Sequence, residues 1–350
     1  MDRHYRGADR ASPDAHGLLI AAADELVRWW DLAGTQPDGV LTIPADENGD
    51  GRREGITSLA LSDDGSVLVI GAADGAVHVE DVATGAEQAT LRGHDQAVAS
   101  LACDPRASVI VSGSLDGTVR VWDASTATAR QTLACGQESV AVVALDRTRA
   151  RVVALLNDAS VRVWDLGTGT SIATRDGPRD RVFALGLSPD GASCCWASAG
   201  GNYRVWESAT GKKLHGFRDE KAGRVRSLAL SADGALLTAA ADYAESALRV
   251  WRLADTAVQA DLPGSGTPRA MAFSPDGKRL AVGTWDGKVQ LWDVSSGRLL
   301  LSLDRGGAQI SCIAFSADGH RLACGGLDGR VAIWDAPPPP GTSAAGNPPR

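Results

Sequence analysis

The sequence predicts an all-β fold made of repeated four-stranded antiparallel sheets arranged around an axis. Three observations predict it. A motif centred on tryptophan recurs about every 42 residues, each copy carries two turn motifs between apolar runs, and many of these runs are apolar on both faces. A sheet with two apolar faces must be covered on both sides, and successive sheets achieve this by stacking face to face around a ring.

The tryptophan motif is present in eight copies, among them "TVRVWDAST", "SVRVWDLGTG" and "KVQLWDVSSG". The tryptophan position falls at residues 30, 80, 122, 164, 206, 251, 292 and 334, where Glu80 replaces tryptophan in the second copy. The spacings are therefore 50, 42, 42, 42, 45, 41 and 42 residues. A regular period of this length is typical of arrays in which each repeat forms one supersecondary unit.

The strands of one repeat can be assigned between residues 270 and 303. A first apolar run ends at the turn 274–277, Ser-Pro-Asp-Gly, in which proline presets φ and glycine suits the fourth position. A second run leads to Asp286-Gly287, a pair typical of a two-residue hairpin with positive φ values. The tryptophan strand follows, and Arg298 to Leu303 is predicted to be the fourth strand. The same hairpin pair recurs at Asp74-Gly75, Asp116-Gly117 and Asp328-Gly329.

The array resembles the WD-repeat family of β-propellers over essentially residues 12 to 335. One repeat carries the fuller pattern of that family, with Gly93-His94, Ser112, Asp116 and Trp122. The resemblance implies that His94 bridges Asp116 of the tight turn to Ser112 and Trp122 in a buried hydrogen-bonded network. We therefore interpret His94 as a structural residue and not as a catalyst.

The number of blades depends on the first copy. Residues 12–31 align without a gap to 274–293, but the inner strand of that copy would contain Asp9 and Arg10. Eight blades are favoured, because a last blade without an outer strand costs less than a stranded apolar hairpin. The alternative is seven blades from residues 40 to 335, with Val40 to Ile43 pairing with the last blade. It would expose Leu18, Leu19, Ile20, Val27, Trp29 and Trp30, at roughly 1.5–3 kcal/mol for each large side chain.

Two segments are therefore expected: a WD-repeat propeller over residues 1–335 with a degenerate first repeat, and a disordered proline-rich tail over 336–350.

The chain has 43 acidic and 35 basic side chains, and its net charge of -8 disfavours nucleic acid and anionic membranes as partners. The start "MDRHYRGADR" does not lead into a signal sequence, and six cysteines without a C-x-x-C pair predict reduced thiols. We expect a cytoplasmic protein.

The stretch "PADENGDGRREG" at residues 44–55 resembles a calcium loop in spacing. Asp46, Asn48, Asp50, Gly51 and Glu54 fall at positions 1, 3, 5, 6 and 9 of that pattern. Position 12 is Thr57 where the pattern requires a bidentate glutamate, and Arg52 and Arg53 would oppose a cation. We interpret the stretch as a polar insertion, which explains the spacing of 50.

No calcium effect on stability is therefore expected. Millimolar calcium should leave the melting temperature unchanged in thermal unfolding. A rise of several degrees that disappears in Asp50→Ala would contradict this interpretation.

The sequence offers no catalytic constellation. Of the six histidines, His4 and His16 lie near the start, His78 and His215 in strands, and His320 in a turn, none beside a recurrent partner. No phosphate-binding glycine loop or metal-ligand spacing is present, and no cofactor is expected. The sequence therefore predicts a protein that is not an enzyme.

Departures from the repeat indicate where a partner binds. In the family that the array resembles, the tight turns and the connections into the inner strands share one rim. Arg181 and Arg224 occupy matching positions seven residues before a turn serine, and Arg226 and Arg269 match two residues further on. Trp285 precedes a tight turn where other copies have smaller side chains, and Tyr243 lies in a lengthened turn. The six residues are the predicted partner-binding set; alternatively, the arginines are solvated and Trp285 covers a blade edge.

The predicted function is a non-enzymatic scaffold that presents these loops to a protein or peptide of acidic or mixed charge. Arginine and aromatic side chains are enriched at protein interfaces, and rigid loops lose little entropy on binding. The alternatives are a propeller that binds a small ligand or metal ion at the central channel or rim, and less favourably a hydrolase.

Overall fold

A computed structural model describes residues 17–21, 27–31, 39–42, 55–146, 149–177, 182–198, 201–241, 248–304 and 308–335 of the protein. All regular secondary structure in these ranges is β-strand. No helix in this part of the chain has the length and apolar character that a membrane crossing requires. The proline-rich segment 336–350 lies outside the described residues.

Most of the described strands belong to seven four-stranded antiparallel sheets. Three strands precede the first complete sheet: β1 (Gly17–Ala21), β2 (Val27–Asp31) and β3 (Gly39–Thr42). Blade one is β4 (Ile56–Leu61), β5 (Val67–Ala72), β6 (Val77–Asp81) and β7 (Glu87–Leu91); blade two is β8 (Val98–Cys103), β9 (Val109–Ser114), β10 (Thr118–Asp123) and β11 (Thr128–Ala134). Blade three is β12 (Val140–Asp146), β13 (Arg151–Leu156), β14 (Val161–Asp165) and β15 (Ser171–Arg175); blade four is β16 (Val182–Leu187), β17 (Ser193–Ser198), β18 (Asn202–Glu207) and β19 (Lys213–Arg218). Blade five is β20 (Val225–Leu230), β21 (Leu236–Ala241), β22 (Leu248–Arg252) and β23 (Ala257–Leu262); blade six is β24 (Pro268–Phe273), β25 (Arg279–Thr284), β26 (Lys288–Asp293) and β27 (Leu299–Asp304).

The seventh blade is built from both ends of the array. It contains β28 (Ile310–Phe315), β29 (Arg321–Gly326) and β30 (Arg330–Asp335), and β3 is its outer strand. β3 runs antiparallel to β30, with Gly39 opposite Ile333 and Thr42 opposite Arg330. The inner strand β28 also lies against β4 of blade one, so the ring closes after seven blades.

The expectation of eight blades is therefore wrong, and the seven-blade alternative is correct. The first copy supplies only β1 and β2, which pair with each other in a separate two-stranded sheet. The sequence-based comparison of seven and eight blades considered apolar burial and not the backbone hydrogen bonds between β3 and β30. Without β3, the N–H and C=O groups along that edge would have no ladder partner.

The core lies between neighbouring blades. Trp122 of blade two packs against Val77, Val79 and Leu91 of blade one, which shows that the tryptophan position faces the preceding blade. In blade five, the Trp251 ring lies 4.9 Å from the ring of Tyr203 in blade four, measured between centroids. This stacking covers both faces of each sheet and holds the inner strands in place around the channel.

The tight turns differ in one detail from the hairpin predicted from sequence. Ala72 N–H donates to Ala76 C=O at 3.0 Å, so the loop has three residues and not two. Within the Asp74-Gly75 pair only the glycine has positive φ, at 89°. A type I turn followed by one left-handed glycine produces this geometry, which leaves the residue before the aspartate at the tip of the loop. Trp285 occupies that position in blade six.

Candidate partner-binding surface

The tight turns and the starts of the inner strands lie side by side on one rim of the ring. Trp285 N–H donates to Thr267 C=O at 3.0 Å, which joins the turn between β25 and β26 to the residue before β24. The equivalent bond joins Leu115 to Ala97 in blade two, also at 3.0 Å. We call this side of the ring the upper rim. Departures from the repeat at either position therefore belong to one surface.

Trp285 is the most exposed large apolar side chain of the described residues, at 53%. The corresponding turn position holds Leu115 in blade two and Leu327 in blade seven, at 39% and 52% exposure. Blades six and seven are neighbours, so Trp285 and Leu327 lie on adjacent turns. An exposed aromatic beside a second apolar side chain is the kind of surface that protein partners cover.

Arg269 stacks on Trp285. Its guanidinium carbon lies 4.4 Å from the centroid of the Trp285 ring, within the range of a cation–π contact. The carboxylate of the same turn, Asp286, accepts a hydrogen bond from Thr284 Oγ1 at 2.5 Å and pairs with Lys288 at 3.0 Å. Within the described residues Arg269 has no acidic partner, and its buried Nε has no hydrogen-bond acceptor. Among the described residues, therefore, no carboxylate neutralises the charge of Arg269.

Two further arginines lie on blade five. The Arg224 guanidinium carbon is 5.1 Å from the centroid of the Phe183 ring in blade four, and Arg224 has no acidic partner in the described part of the chain. Arg226 follows two residues later at the start of β20, where it is exposed. Arg224, Arg226, Arg269 and Trp285, here called the arginine–tryptophan surface, form a positive patch on an acidic protein.

A buried ion pair fixes the loop that carries Arg224. Arg249 Nη1 donates to Asp219 Oδ2 at 2.7 Å, and Arg249 Nε donates to Asp261 Oδ1 at 2.6 Å. Arg249 and Asp219 are each only 9% exposed. Asp219 opens the connection from β19 to β20, so its anchoring to β22 preorders that connection. Sequence reasoning missed this pair, because its partners lie 30 residues apart in different blades.

The predicted histidine network lies on the same rim in blade two. Trp122 Nε1–H donates to Ser112 Oγ at 2.7 Å, and Ser112 Oγ lies 2.7 Å from His94 Nε2. His94 Nδ1 lies 2.8 Å from Asp116 Oδ2. A neutral ring that accepts from Ser112 and donates to Asp116 satisfies every bond, and burial keeps the pKa of His94 below its usual value. All ring nitrogens are engaged, so this histidine has a structural role.

Comparison with known proteins shows to which family models the repeats are similar. Residues 48–79 and 85–123 match the family model described as WD domain, G-beta repeat. Residues 244–316 match the model of the Anaphase-promoting complex subunit 4 WD40 domain. The chain is a WD-repeat β-propeller. The resemblance drawn from the tryptophan motif is thereby confirmed.

Two curated proteins are similar to parts of this WD-repeat propeller. U3 small nucleolar RNA-associated protein 18 of Saccharomyces cerevisiae is 38% identical over 81 residues, which cover 22% of this chain and 14% of that protein. Small ribosomal subunit protein RACK1y of Oryza sativa subsp. japonica is 32% identical over 93 residues, covering 26% of this chain and 28% of that protein. The matches thus span less than a third of either relative, and neither name denotes an enzyme.

The central channel of the propeller contains a cavity of about 620 Å³. Its lining is mostly apolar and includes Leu230, Phe273 and Phe315 near the ends of three inner strands. No group of three or more histidine, cysteine, aspartate or glutamate side chains within the described residues could hold a metal ion. The lining also includes the carboxylates of Asp63, Asp146 and Asp190.

Some predicted site residues lie outside the described residues of the propeller. They are Arg181 and Tyr243 of the partner-binding set, and the loop from Asp46 to Glu54. Their predictions stay predictions. The other four partner-binding residues are placed on the upper rim as described above.

Proposed function

We propose that this WD-repeat propeller is a non-enzymatic, cytoplasmic scaffold that binds a protein partner on the upper rim of blades five and six. The observation that carries the proposal is the stacking of Arg269, which has no acidic partner in the described chain, on the exposed Trp285 ring. An aromatic anchor beside an arginine is the composition of an interface hot spot. The names of both relatives, one ribosomal and one RNA-associated, are those of components of larger assemblies.

The proposed partner presents an acidic or mixed-charge segment. A guanidinium whose face is occupied by an aromatic ring keeps its N–H edge for a carboxylate, which it can bind with two parallel hydrogen bonds. The net charge of -8 repels long polyanions, whereas a short segment contacts only the local positive patch. Binding then requires little ordering, because the loop with Arg224 is already fixed by Arg249 and Asp219.

A second candidate function is the binding of a small ligand in the central channel. The mostly apolar cavity of about 620 Å³ favours it. A thermal-shift screen with small apolar molecules tests this function, since a channel ligand stabilises the folded ring. Loss of the thermal shift in Phe273→Ala but not in Trp285→Ala would assign such a ligand to the channel. A hydrolase is the least favoured function and would show turnover in a hydrolase panel.

Trp285→Ala is expected to reduce partner capture at least tenfold. Removal of a hot-spot aromatic costs about 2 kcal/mol or more of binding free energy. Trp285 is half exposed, so its removal should leave the melting temperature nearly unchanged. The measurement is affinity capture from a lysate with the immobilised full chain, followed by quantitative mass spectrometry of the retained proteins.

Leu115→Ala is the matched control, because Leu115 holds the same turn position in blade two and is also exposed. This variant should retain the captured proteins at wild-type levels. Arg269→Glu should lose the same proteins as Trp285→Ala. If all three variants capture the same set as the wild type, the arginine–tryptophan surface is not the binding site.

A further inference from the structure

Blade one has a carboxylic acid at the position that tryptophan holds in the other blades. Glu80 on β6 is only 4% exposed, comparable with Trp122 at 1% and Trp164 at 5%. A glutamate is almost never buried to this degree unless it is paired. Its location therefore requires an explanation beyond the repeat.

Glu80 lies in the interface that closes the ring. It is opposite Leu68 on β5 and opposite Glu87 on β7, and directly opposite residues of a sheet share a face. Leu68 on that face packs with Val331 and Ile333 of blade seven. Blade seven is the blade completed by β3, so Glu80 lies between the first and last blades.

The described groups around Glu80 do not compensate a negative charge on its carboxyl. On its own blade, Glu87 faces it as a second carboxyl, while His78 lies 3.6 Å from Glu87 and contacts Thr90. No described residue donates a hydrogen bond to the Glu80 carboxyl. β5, which packs on this interface, contains no titratable residue.

The arginines of blade seven on β29 and β30 are engaged elsewhere or exposed. Arg321 on β29 donates to Gly65 C=O at 2.6 Å and pairs with Asp335 on β30 at 2.8 Å. Arg330 at the other end of β30 is exposed. An ionised Glu80 would thus be a buried charge that faces a like charge, and such a group favours its neutral form.

We propose that Glu80 is a pH-sensitive latch of the propeller: the interface between blades seven and one is tight while the Glu80 carboxyl is protonated and loosens when it ionises. The tryptophan in the other blades cannot titrate, so the sensitivity is confined to the one interface at which the ring closes. Regulation at this seam is independent of the partner proposed for the upper rim.

The direction of the effect follows from the pKa. Burial, reinforced by the charge of Glu87, raises the pKa of Glu80 from 4.5 to about 7. The contribution of the protonated Glu80 carboxyl to the stability of the interface is complete below pH 4.5. It is lost as the pH rises from 4.5 through 7, and the stability does not change further above that range. Between pH 5.5 and 8.5 the equilibrium constant for opening of the interface between blades seven and one should rise about 30-fold, since each pKa unit is a factor of ten.

Hydrogen exchange of the full chain tests the latch. The exchange of amides in 39–42 and 330–335, corrected for intrinsic rates, should increase by up to 30-fold between pH 5.5 and 8.5 in the wild type. Glu80→Gln should abolish this pH dependence, because the amide keeps the shape of the side chain and cannot ionise. Glu80→Met, also neutral and similar in volume, serves the same purpose should the amide variant fold poorly.

Two further variants separate a latch from a general effect. Glu87→Gln removes the facing charge and should move the midpoint of the transition to lower pH, whereas Glu138→Gln, on an exposed loop of blade two, should leave it in place. A wild type and a Glu80→Gln variant with the same pH profile would overturn the proposal. So would an increase in exchange that is equal in all seven blades.

Discussion

Arg249→Ala is expected to lower the free energy of unfolding by about 3–5 kcal/mol. The substitution removes the Arg249 guanidinium from Asp219, a carboxylate that is 9% exposed. A buried carboxylate that loses its cationic partner is costly, because burial also withholds the water that would solvate the charge. The Lys221 N–H still donates to Asp219 Oδ1 at 3.0 Å, but it carries no charge. Urea denaturation of the full chain at pH 7 measures the loss. The connection from β19 to β20 should also become sensitive to proteolysis.

Arg252→Ala is the matched control. Arg252 lies on the same strand and also pairs with an aspartate, Asp255, but both side chains are about half exposed. Its replacement should leave the urea midpoint almost unchanged, because exposed pairs are solvated and screened. In the double variant Arg249→Met with Asp219→Leu, part of the stability should return, since no charge is left buried alone. A loss under 1 kcal/mol for Arg249→Ala would show that water satisfies Asp219.

His94→Leu is expected to lower the free energy of unfolding by about 2–4 kcal/mol. Leucine has nearly the volume of histidine but leaves the Ser112 O–H without its acceptor and leaves Asp116 Oδ2 with only the Asp95 N–H, at 3.2 Å. Each buried polar group that loses its partner costs about 1–3 kcal/mol. Thr118 still donates to the other oxygen of Asp116 at 2.7 Å, which limits the loss. Urea denaturation again provides the measurement.

His215→Gln provides the comparison for this variant. His215 lies on the outer strand of blade four, is partly exposed and belongs to no buried network. Its replacement should change the unfolding free energy by less than about 0.5 kcal/mol. Equal losses in the two variants would mean that the network of blade two adds nothing specific to stability.

The repeat itself could be predicted from sequence because its signals are local. The tryptophan position, the Ser-Pro-Asp-Gly turn and the Asp286-Gly287 pair each act within a few residues. The predicted fourth strand from Arg298 to Leu303 is observed as β27 (Leu299–Asp304). The placement of Trp285 beside the start of an inner strand could also be predicted from sequence, because it follows from the order of strands within one repeat.

The features that sequence reasoning missed depend on contacts between blades. Arg249 and Asp219 meet because the connection into blade five folds over β22, and no local pattern shows this. The closing strand β3 pairs with a strand nearly 300 residues later, so its hydrogen bonds were absent from the comparison of seven and eight blades. Glu80 was visible as a departure from the motif, but its burial against blade seven was not.

The composition of blade seven has a consequence for biosynthesis. Thr42 can pair with Arg330 only after β30 has been synthesised, so the ribosome completes nearly the whole array before the ring of blades can close. Until then the outward face of the earliest blade, with Leu68 and Ile70, remains open to solvent on the nascent chain. Premature termination before β30 (Arg330–Asp335) has been translated would accordingly release polypeptides that carry a permanently uncovered apolar surface, which is a substrate for chaperones and aggregation.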